Sequence, residues 1–508
     1  MNPLIVPAIP MAFAFLLPFT SKFMGRKGVH LYAIAVTLLT LIFNVKLFVD
    51  VYSSTIPLTY AFGNWKAPVG ILYEADRLGV LLAMTTSFLM FVIAIYSTRY
   101  LGDDGIEWYH TLYLGLEAGL LGIFLTGDAF NLFVMLEVAA VASYGLVMFY
   151  TEEGYPAYAG LRYAIISSVG TTLYFLALAI IYKALGTVNF ADIAAKLRGI
   201  PFPISQPSTN FLPLLALAMA LTTWAFTIKS AIMPNHFWLP GAHSAAPSPV
   251  SAVLSGLVVN AGLYGFMRFL TLMDGGLQKI TGTISTILIV LGAISALLAS
   301  IAMILQDDAK RIVAYSTILN MGYIAIAVGI GTFAGLRGAV FHMVNHAVAK
   351  ALLFLAVGVF IHSAGTRKIS ELAGLGRKMP LTTLTMGIAT ITLVGLPPTN
   401  VFFSKLTLYG AYLEKSVLLV IVLIVSSLFA LASYMRMFYW LWVRKPARDV
   451  DGAKDDPIMG AVLLMLALLC VAGGILSPLI LEKLIDPAVS QLMNVEGYIK
   501  AALLAGVK

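Results

Sequence analysis

"AFTIKSAIMPNHFWLPGAHSAAPSPVSA", residues 225 to 252, decides how the chain must fold. It starts as an apolar helix, yet Pro234, Pro240, Pro247 and Pro249 interrupt it, and Lys229 and His243 stand inside it. Proline removes a backbone donor and frees a carbonyl, which is tolerable at membrane depth only where protein or cavity water satisfies it. The breaks therefore mark wet interior within a membrane domain. The surroundings supply that domain: of 508 residues, 60% are hydrophobic and only 11% charged, a balance no ordinary soluble domain shows. Apolar runs able to cross about 30 Å of hydrocarbon number about fourteen, the first near residues 3 to 21 and the last near 457 to 481. The expected fold is an all-α polytopic membrane protein, with the quoted break in spans seven and eight. The first span has no basic leader and no cleavage site, so it reads as a retained helix.

A second break lies in "ITLVGLPPTNVFFSKLTLYG", residues 391 to 410, where Pro397 and Pro398 interrupt span twelve ahead of Lys405. Corresponding interrupted helices in two halves of a transporter are the sequence sign of an inverted repeat with an ion pathway between them. The spacing predicts two inverted five-helix repeats, residues 109–272 and 283–443. Helices of residues 1–108 precede them, and a last helix and tail, residues 457–508, follow.

Lys22, Arg26, Lys27, Arg99, Arg162, Lys310, Arg311, Arg367, Lys368, Arg377, Lys378, Arg444, Lys445 and Arg448 fall on one side of such a bundle. The other side holds Lys66, Lys196, Arg198, Lys279, Arg337 and Lys415. Positive charge favours the cytoplasm, so both termini are expected outside a cell membrane. The net charge of +8 is mostly this topology signal and gives no reason to expect nucleic acid binding. Cys470 is the only cysteine, which excludes intramolecular disulfides, iron–sulfur clusters and cysteine zinc sites held by this chain alone.

Glu117, Glu137, Lys229, His342, His346, Lys350 and Lys405 fall inside spans. Facing lipid, the five formally charged ones together would cost on the order of 15 kcal/mol, so they are expected to face the bundle interior. Structural alternatives exist for some. Glu137 could glue two helices as an ion pair, and Lys229 could snorkel to an interface. Glu117 is either a helix-packing hydrogen-bond group or an auxiliary proton site. Lys310 and Arg311, opening span ten after "QDD", read as interfacial topology charges.

"FHMVNHAVAKALLF", residues 341 to 354, is harder to explain as packing. Residues four apart on a helix lie nearly above one another, about 6 Å apart in rise, so His342, His346 and Lys350 form one stripe about 12 Å long. Three cationic-capable groups on one stripe oppose being charged together. Such a stripe can hold protons in shifting number, as a relay requires. HxxxH can also chelate zinc or iron, but Lys350 would repel the cation, and Met343 stands where a zincin has glutamate. Paired axial histidines on facing helices are not evident, and no metal or cofactor is expected.

Together these residues resemble the antiporter-like subunits shared by respiratory complex I, Mrp-type sodium/proton antiporters and energy-converting membrane hydrogenases. "FNLFVMLEVAAVASYGLV" is similar to the family's span five, with Glu137 at the acidic position. "FTIKSAIMPNHFWLPGAHSAAPSPVSAVLSG" is similar to broken span seven and the start of span eight, with Lys229 at its lysine. "DDAKRIVAYSTILNMGYI" and "FHMVNHAVAKALLFL" look like spans ten and eleven, and Lys405 matches the lysine after the double proline of span twelve. The resemblance implies that Glu137 and Lys229 form a gating pair. Lys229 then passes its proton through cavity water towards His342, His346 and Lys350 and on to Lys405, with His243 assisting.

Two positions depart from the family. "GLVVNAGLYG" has Asn260 where members commonly have a lysine, and "PPTNVFFSK" lacks the usual glycine-phenylalanine pair. The chain is too short for the lateral helix of the largest members and looks closest to the D-type chain of Mrp antiporters. The implied function is a proton-translocating or sodium/proton-exchanging subunit of a redox-driven pump. Its implied partners are other membrane subunits, further antiporter-like subunits among them, and a peripheral module with iron–sulfur or nickel–iron centres. A stand-alone Mrp-type antiporter, a membrane redox enzyme with a His-ligated metal, and an inactive anchoring subunit are the alternatives.

Overall fold

The computed structural model describes residues 1–150, 154–201, 211–446 and 453–504; Arg448 lies outside them. Among the described residues, twelve helical segments are long and apolar enough to cross a membrane. The helix Ile106–Leu125 and the pair Pro380–Val394 and Asn400–Lys415 bring the crossings to fourteen. In chain order, spans 1 to 6 are Ile5–Thr20, Arg26–Tyr52, Arg77–Tyr100, Ile106–Leu125, Ala129–Val147 and Tyr155–Leu185. Span 7 is split into Leu212–Lys229 and Leu239–Ala245. Spans 8 to 11 are Ser248–Met273, Gln278–Ile304, Ala309–Ile330 and Phe333–Ala364. Span 12 is the split pair just given, span 13 is Val417–Val443 and span 14 is Pro457–Ile475.

Spans 8 and 10 are almost wholly encased, whereas spans 1, 2, 6, 9 and 13 turn broad apolar faces outward, with Phe15, Leu31, Ile165, Val290 and Leu428 among them. This is the distribution a hydrocarbon solvent selects, because every backbone polar group stays inside a helix and the outer surface needs no charge. Small residues let the central helices close up. A Cβ on Gly292 would stand 2.7 Å from the Gly322 carbonyl oxygen, so spans 9 and 10 touch backbone to backbone.

One face is the richer in basic residues, and there Arg26 pairs with Asp103, Arg99 with Asp456 at 3.0 Å and Arg367 with Asp308 at 3.5 Å. The opposite face carries an antiparallel hairpin, Leu58–Ala61 with Leu72–Ala75, the one small sheet among the described residues. Two short helices, Asp486–Met493 and Val495–Leu504, cross this hairpin face. The Tyr52 hydroxyl donates to the Leu484 carbonyl at 2.8 Å, and Leu4 lines a cavity with Phe62 and Tyr73, so both ends of the described chain reach this face.

Candidate functional site

The first half of span 7 ends at Lys229, and the backbone turns through Ser230 to Trp238 before the helix resumes. Side chains satisfy what the turn frees. Trp238 Nε1 donates to the Ile228 carbonyl at 3.0 Å, and Asn235 Nδ2 to Thr227 Oγ1 at 2.9 Å. The Met233 amide donates to Ser295 Oγ of span 9 at 2.9 Å. The Trp238 ring stacks on Tyr163 at 4.2 Å, which fixes the turn against span 6. Pro234, like Pro397 and Pro398 in span 12, is itself exposed on the bundle's side. The expectation that the proline breaks mark wet interior therefore needs refinement. The rings are exposed, and the backbone groups of the first break are met by Trp238 of the turn itself and by Ser295 of span 9.

Lys229 is buried, and its Nζ donates to Ser167 Oγ of span 6 at 2.6 Å. Glu137 of span 5 lies within electrostatic reach of that ammonium but makes no ion pair with it, and its Oε1 has no partner. Glu137 is partly buried, with its Oε1 shielded from the surroundings. Glu117 faces the interior, fully buried, with neither oxygen hydrogen-bonded.

The stripe on span 11 is wholly buried and meets both broken helices. His243, in the second half of span 7, stacks on Phe354 at 4.6 Å with both ring nitrogens unpartnered, and Lys350 lies within its electrostatic reach. Lys350 Nζ donates to the Val313 carbonyl at 2.9 Å and to Ser316 Oγ. His346 follows with both ring nitrogens free, and its ring centroid is 6.2 Å from that of His342. His342 Nδ1 pairs with Ser404 Oγ at 2.9 Å and Nε2 with Asn320 Oδ1 at 3.0 Å.

Ser404 precedes Lys405, whose Nζ donates to the Val394 carbonyl at 2.8 Å and to Ser427 Oγ at 3.0 Å and lies 5.4 Å from the Tyr323 ring centroid. The spatial order is thus His243, Lys350, His346, His342, Lys405. It corrects the order implied by the resemblance, which put Lys350 rather than His342 next to Lys405. The reason is directional: span 11 starts on the hairpin face, so its earlier residue lies at the depth of the second half of span 12.

Asn260 follows a π-helical turn, Leu254–Val258, and donates through Nδ2 to the Gly256 carbonyl at 2.7 Å and the Met343 carbonyl at 3.3 Å, leaving Oδ1 free. Such turns are frequent at functional positions because they re-aim the residue that follows.

Three features escape the sequence reading. Val313, Ser316, Asn320 and Tyr323 form one face of span 10 and hold Lys350, His342 and Lys405 in place. Their spacing of three and four in a buried helix is the available signal. Lys310 is not an interfacial charge. It is buried, donates to the Ala246 carbonyl at 2.6 Å and floors a cavity of 710 Å³ on the basic face, lined also by Ser244, Asp308, His362 and Arg367. Facing histidines also exist, contrary to expectation: His30 Nδ1 and His110 Nε2 join spans 2 and 4 at 2.9 Å, in direct contact that leaves no room for an ion between them.

No three His, Cys, Asp or Glu side chains among the described residues gather as a metal-holding group. His342 has both nitrogens engaged by Ser404 and Asn320, so it and His346 do not present a free chelating pair.

Residues 126–430 match the family model described as NADH:quinone oxidoreductase/Mrp antiporter, transmembrane. The chain belongs to the NADH:quinone oxidoreductase/Mrp antiporter family. It is 31% identical over 486 residues to antiporter subunit mnhD2 of Staphylococcus aureus strain MRSA252, covering 95% of this chain and 94% of that protein. Against the same subunit of strain N315, identity is 30% over 490 residues, covering 96% and 95%.

Among solved structures, a chain of the archaeal membrane-bound sulfane sulfur reductase, a respiratory membrane complex, superposes with TM-score 0.90 at 29% identity over 98% of this chain and 99% of that one. A chain of the Mrp complex from Dietzia sp. DQ12-45-1b superposes with TM-score 0.87 at 24% identity over 99% of each, a likeness of fold. The protein is an antiporter-like, multi-pass membrane subunit of this family.

Proposed function

We propose that the chain moves protons, or exchanges them for sodium, along the buried line His243, Lys350, His346, His342 and Lys405. The observation that carries this reading is the placement of that line between the breaks of spans 7 and 12, with unpartnered nitrogens on His243 and His346. A ring nitrogen without a fixed partner is free to accept a proton from a neighbour or a water and to hand it on. Lys229 acts ahead of the line. Held by the neutral Ser167 hydroxyl, its ammonium lacks a contacting counter-charge; approach of Glu137 would restore one and favour proton retention. Asn260 orients water where a lysine would otherwise carry the step, and Glu117 is an auxiliary proton site.

Glu137 keeps a minor part of its surface exposed at membrane depth, which favours a neighbouring membrane subunit against span 5. In our reading the chain works in a multisubunit pump with further antiporter-like subunits, driven by a peripheral redox module with iron–sulfur or nickel–iron centres. The full-length likeness to mnhD2 favours a second reading, the D-type chain of a stand-alone Mrp-type antiporter. Co-purification separates the two: recovery with metal-cofactor proteins supports the pump, and recovery with small membrane proteins alone supports the antiporter. The basic face is cytoplasmic and both ends lie outside. Spans 4 to 8 and 9 to 13 are two inverted units, residues 109–272 and 283–443, flanked by residues 1–108 and 457–508.

In vesicles carrying the intact complex, Lys229→Ala and Glu137→Ala are each expected to abolish translocation while assembly persists. His346→Ala and Lys350→Ala should slow it by about tenfold or more, a barrier increase of ~1.4 kcal/mol, and more than His30→Ala does. Wild-type pumping by both the Lys229 and Glu137 variants would overturn the gating role.

A further inference from the structure

Away from the relay, the hairpin face holds a second buried charge cluster. Asp76, which caps span 3, accepts a hydrogen bond from Arg268 Nη1 of span 8 at 2.7 Å, and both side chains are buried. Arg268 Nη2 donates to the Tyr264 hydroxyl at 3.0 Å. The guanidinium carbon lies 5.2 Å from the Tyr264 ring centroid and 5.3 Å from that of Tyr498, which comes from the helix Val495–Leu504.

Glu74, on the second hairpin strand, lies beside this pair with no exposed surface. Asp76 already balances the single guanidinium, so an ionised Glu74 would be a net negative charge in a low-dielectric site, at a cost of several kcal/mol.

The unpartnered atoms set the cluster apart from structural glue. Neither Glu74 oxygen accepts a hydrogen bond of good geometry, and Arg268 Nε, the Tyr498 hydroxyl and Gln491 Nε2 are equally unpartnered. The Tyr498 hydroxyl is directed at Glu74 without closing such a bond. Buried polar groups are normally paired, so a fully buried carboxyl beside an unpartnered guanidinium nitrogen and hydroxyl calls for a role of its own. The ionisable groups facing Glu74 are Asp76 on its own segment, Arg268 and Tyr264 on span 8, and Tyr498; the residue opposite on the hairpin is the neutral Thr59. Burial holds the Glu74 carboxyl well above the usual carboxylate range, with Arg268 opposing. Arg268, Tyr264 and Asn260 follow one another at intervals of four on span 8, so one helix face leads from this cluster to the Asn260 beside the relay.

We propose that Glu74 is the proton-binding carboxyl of a separate ion site on the hairpin face, built with Asp76, Arg268 and Tyr498 and linked along Tyr264 to Asn260. The ligand is a proton rather than sodium, because Arg268 beside the carboxyl repels a metal cation while a proton removes the surplus charge. The site goes beyond the relay proposed above and does not depend on it. It is complete only with the helix bearing Tyr498 docked.

The test is difference infrared spectroscopy of the purified complex containing this chain, titrated from acid to alkaline pH. A protonated-carboxyl carbonyl band is expected to persist at neutral pH in the wild type and to be absent in Glu74→Gln. Tyr498→Phe keeps the ring over Arg268 but removes the donor that favours the carboxylate, so the band should titrate at higher pH. Identical spectra for wild type and an assembled Glu74→Gln complex would overturn the proposal, as would loss of the band on adding sodium at constant pH. Should Glu74→Gln fail to assemble, an unmoved titration in Tyr498→Phe overturns it equally. Repeating the measurement in Lys229→Ala separates this site from the relay, since the band requires no transport.

Discussion

The two broken helices solve the same physical problem in different ways. In span 7 the lysine stands before the break, and neutral groups, Trp238 Nε1 and Asn235 Nδ2, bind its carbonyl and hydroxyl acceptors. In span 12 the lysine stands after the break and folds back, so that Lys405 Nζ itself binds the Val394 carbonyl that ends the first half. A glycine makes this possible. Gly395 has φ +86°, and a Cβ there would lie 2.7 Å from Lys405 Cδ. The first break is therefore held independently of its lysine, and the second is held by it. Proton loss at Lys405 takes the charge assistance from the bond that holds the break, whereas at Lys229 it changes only a contact with Ser167. The difference teaches that a break can be a fixed scaffold for a titrating group or a partner in its titration.

Methionine variants test this contrast most strongly, since they keep the stem and remove charge and donors. Lys229→Met and Lys405→Met should both abolish transport in vesicles. Only Lys405→Met should also lower stability, by about 1–3 kcal/mol, because it removes the charged donor from the part-buried Val394 carbonyl. Equal thermal shifts in the two variants would break the comparison.

Glycine variants sharpen it next. Gly395→Ala, strained by its positive φ and crowding Lys405, should be destabilised by about 1–3 kcal/mol and transport poorly. Gly241→Ala, beyond the other break, meets only the Tyr155 hydroxyl at 4.0 Å and should stay within about 0.5 kcal/mol of wild type. The smallest effect on transport is expected from Trp238→Phe, which removes one of the donors to the Ile228 carbonyl for about 1 kcal/mol and leaves transport intact. Thermal melts paired with vesicle assays read all of these, and a loss of transport in Trp238→Phe would show that the first break is no passive scaffold.

Much of the relay is legible in the sequence because its residues violate the local solvent. A lysine or histidine in an apolar span is conspicuous, and so is a double proline, which is why Lys229, His342, His346, Lys350 and Lys405 stand out. Their partners are not conspicuous. Ser316, Asn320 and Ser404 are polar but uncharged, cheap enough in a helix to pass as packing. Lys310 misleads for a related reason, as its place next to "QDD" mimics an interfacial charge while its side chain turns inward to Ala246. The Asp76–Arg268 pair joins residues 192 positions apart, and no periodicity within one segment reports such a meeting.

The sequence by itself determined that this chain lies in a membrane, where its helices break, and which ionisable groups must be sheltered, because those follow from the transfer of single residues and segments into hydrocarbon. Only the tertiary structure decided the direction of the line along span 11, the separation of Glu137 from Lys229, and the burial of Glu74 beneath Tyr498. Each of these depends on which helix stands beside which and at what depth, a property of packing between segments far apart in the chain.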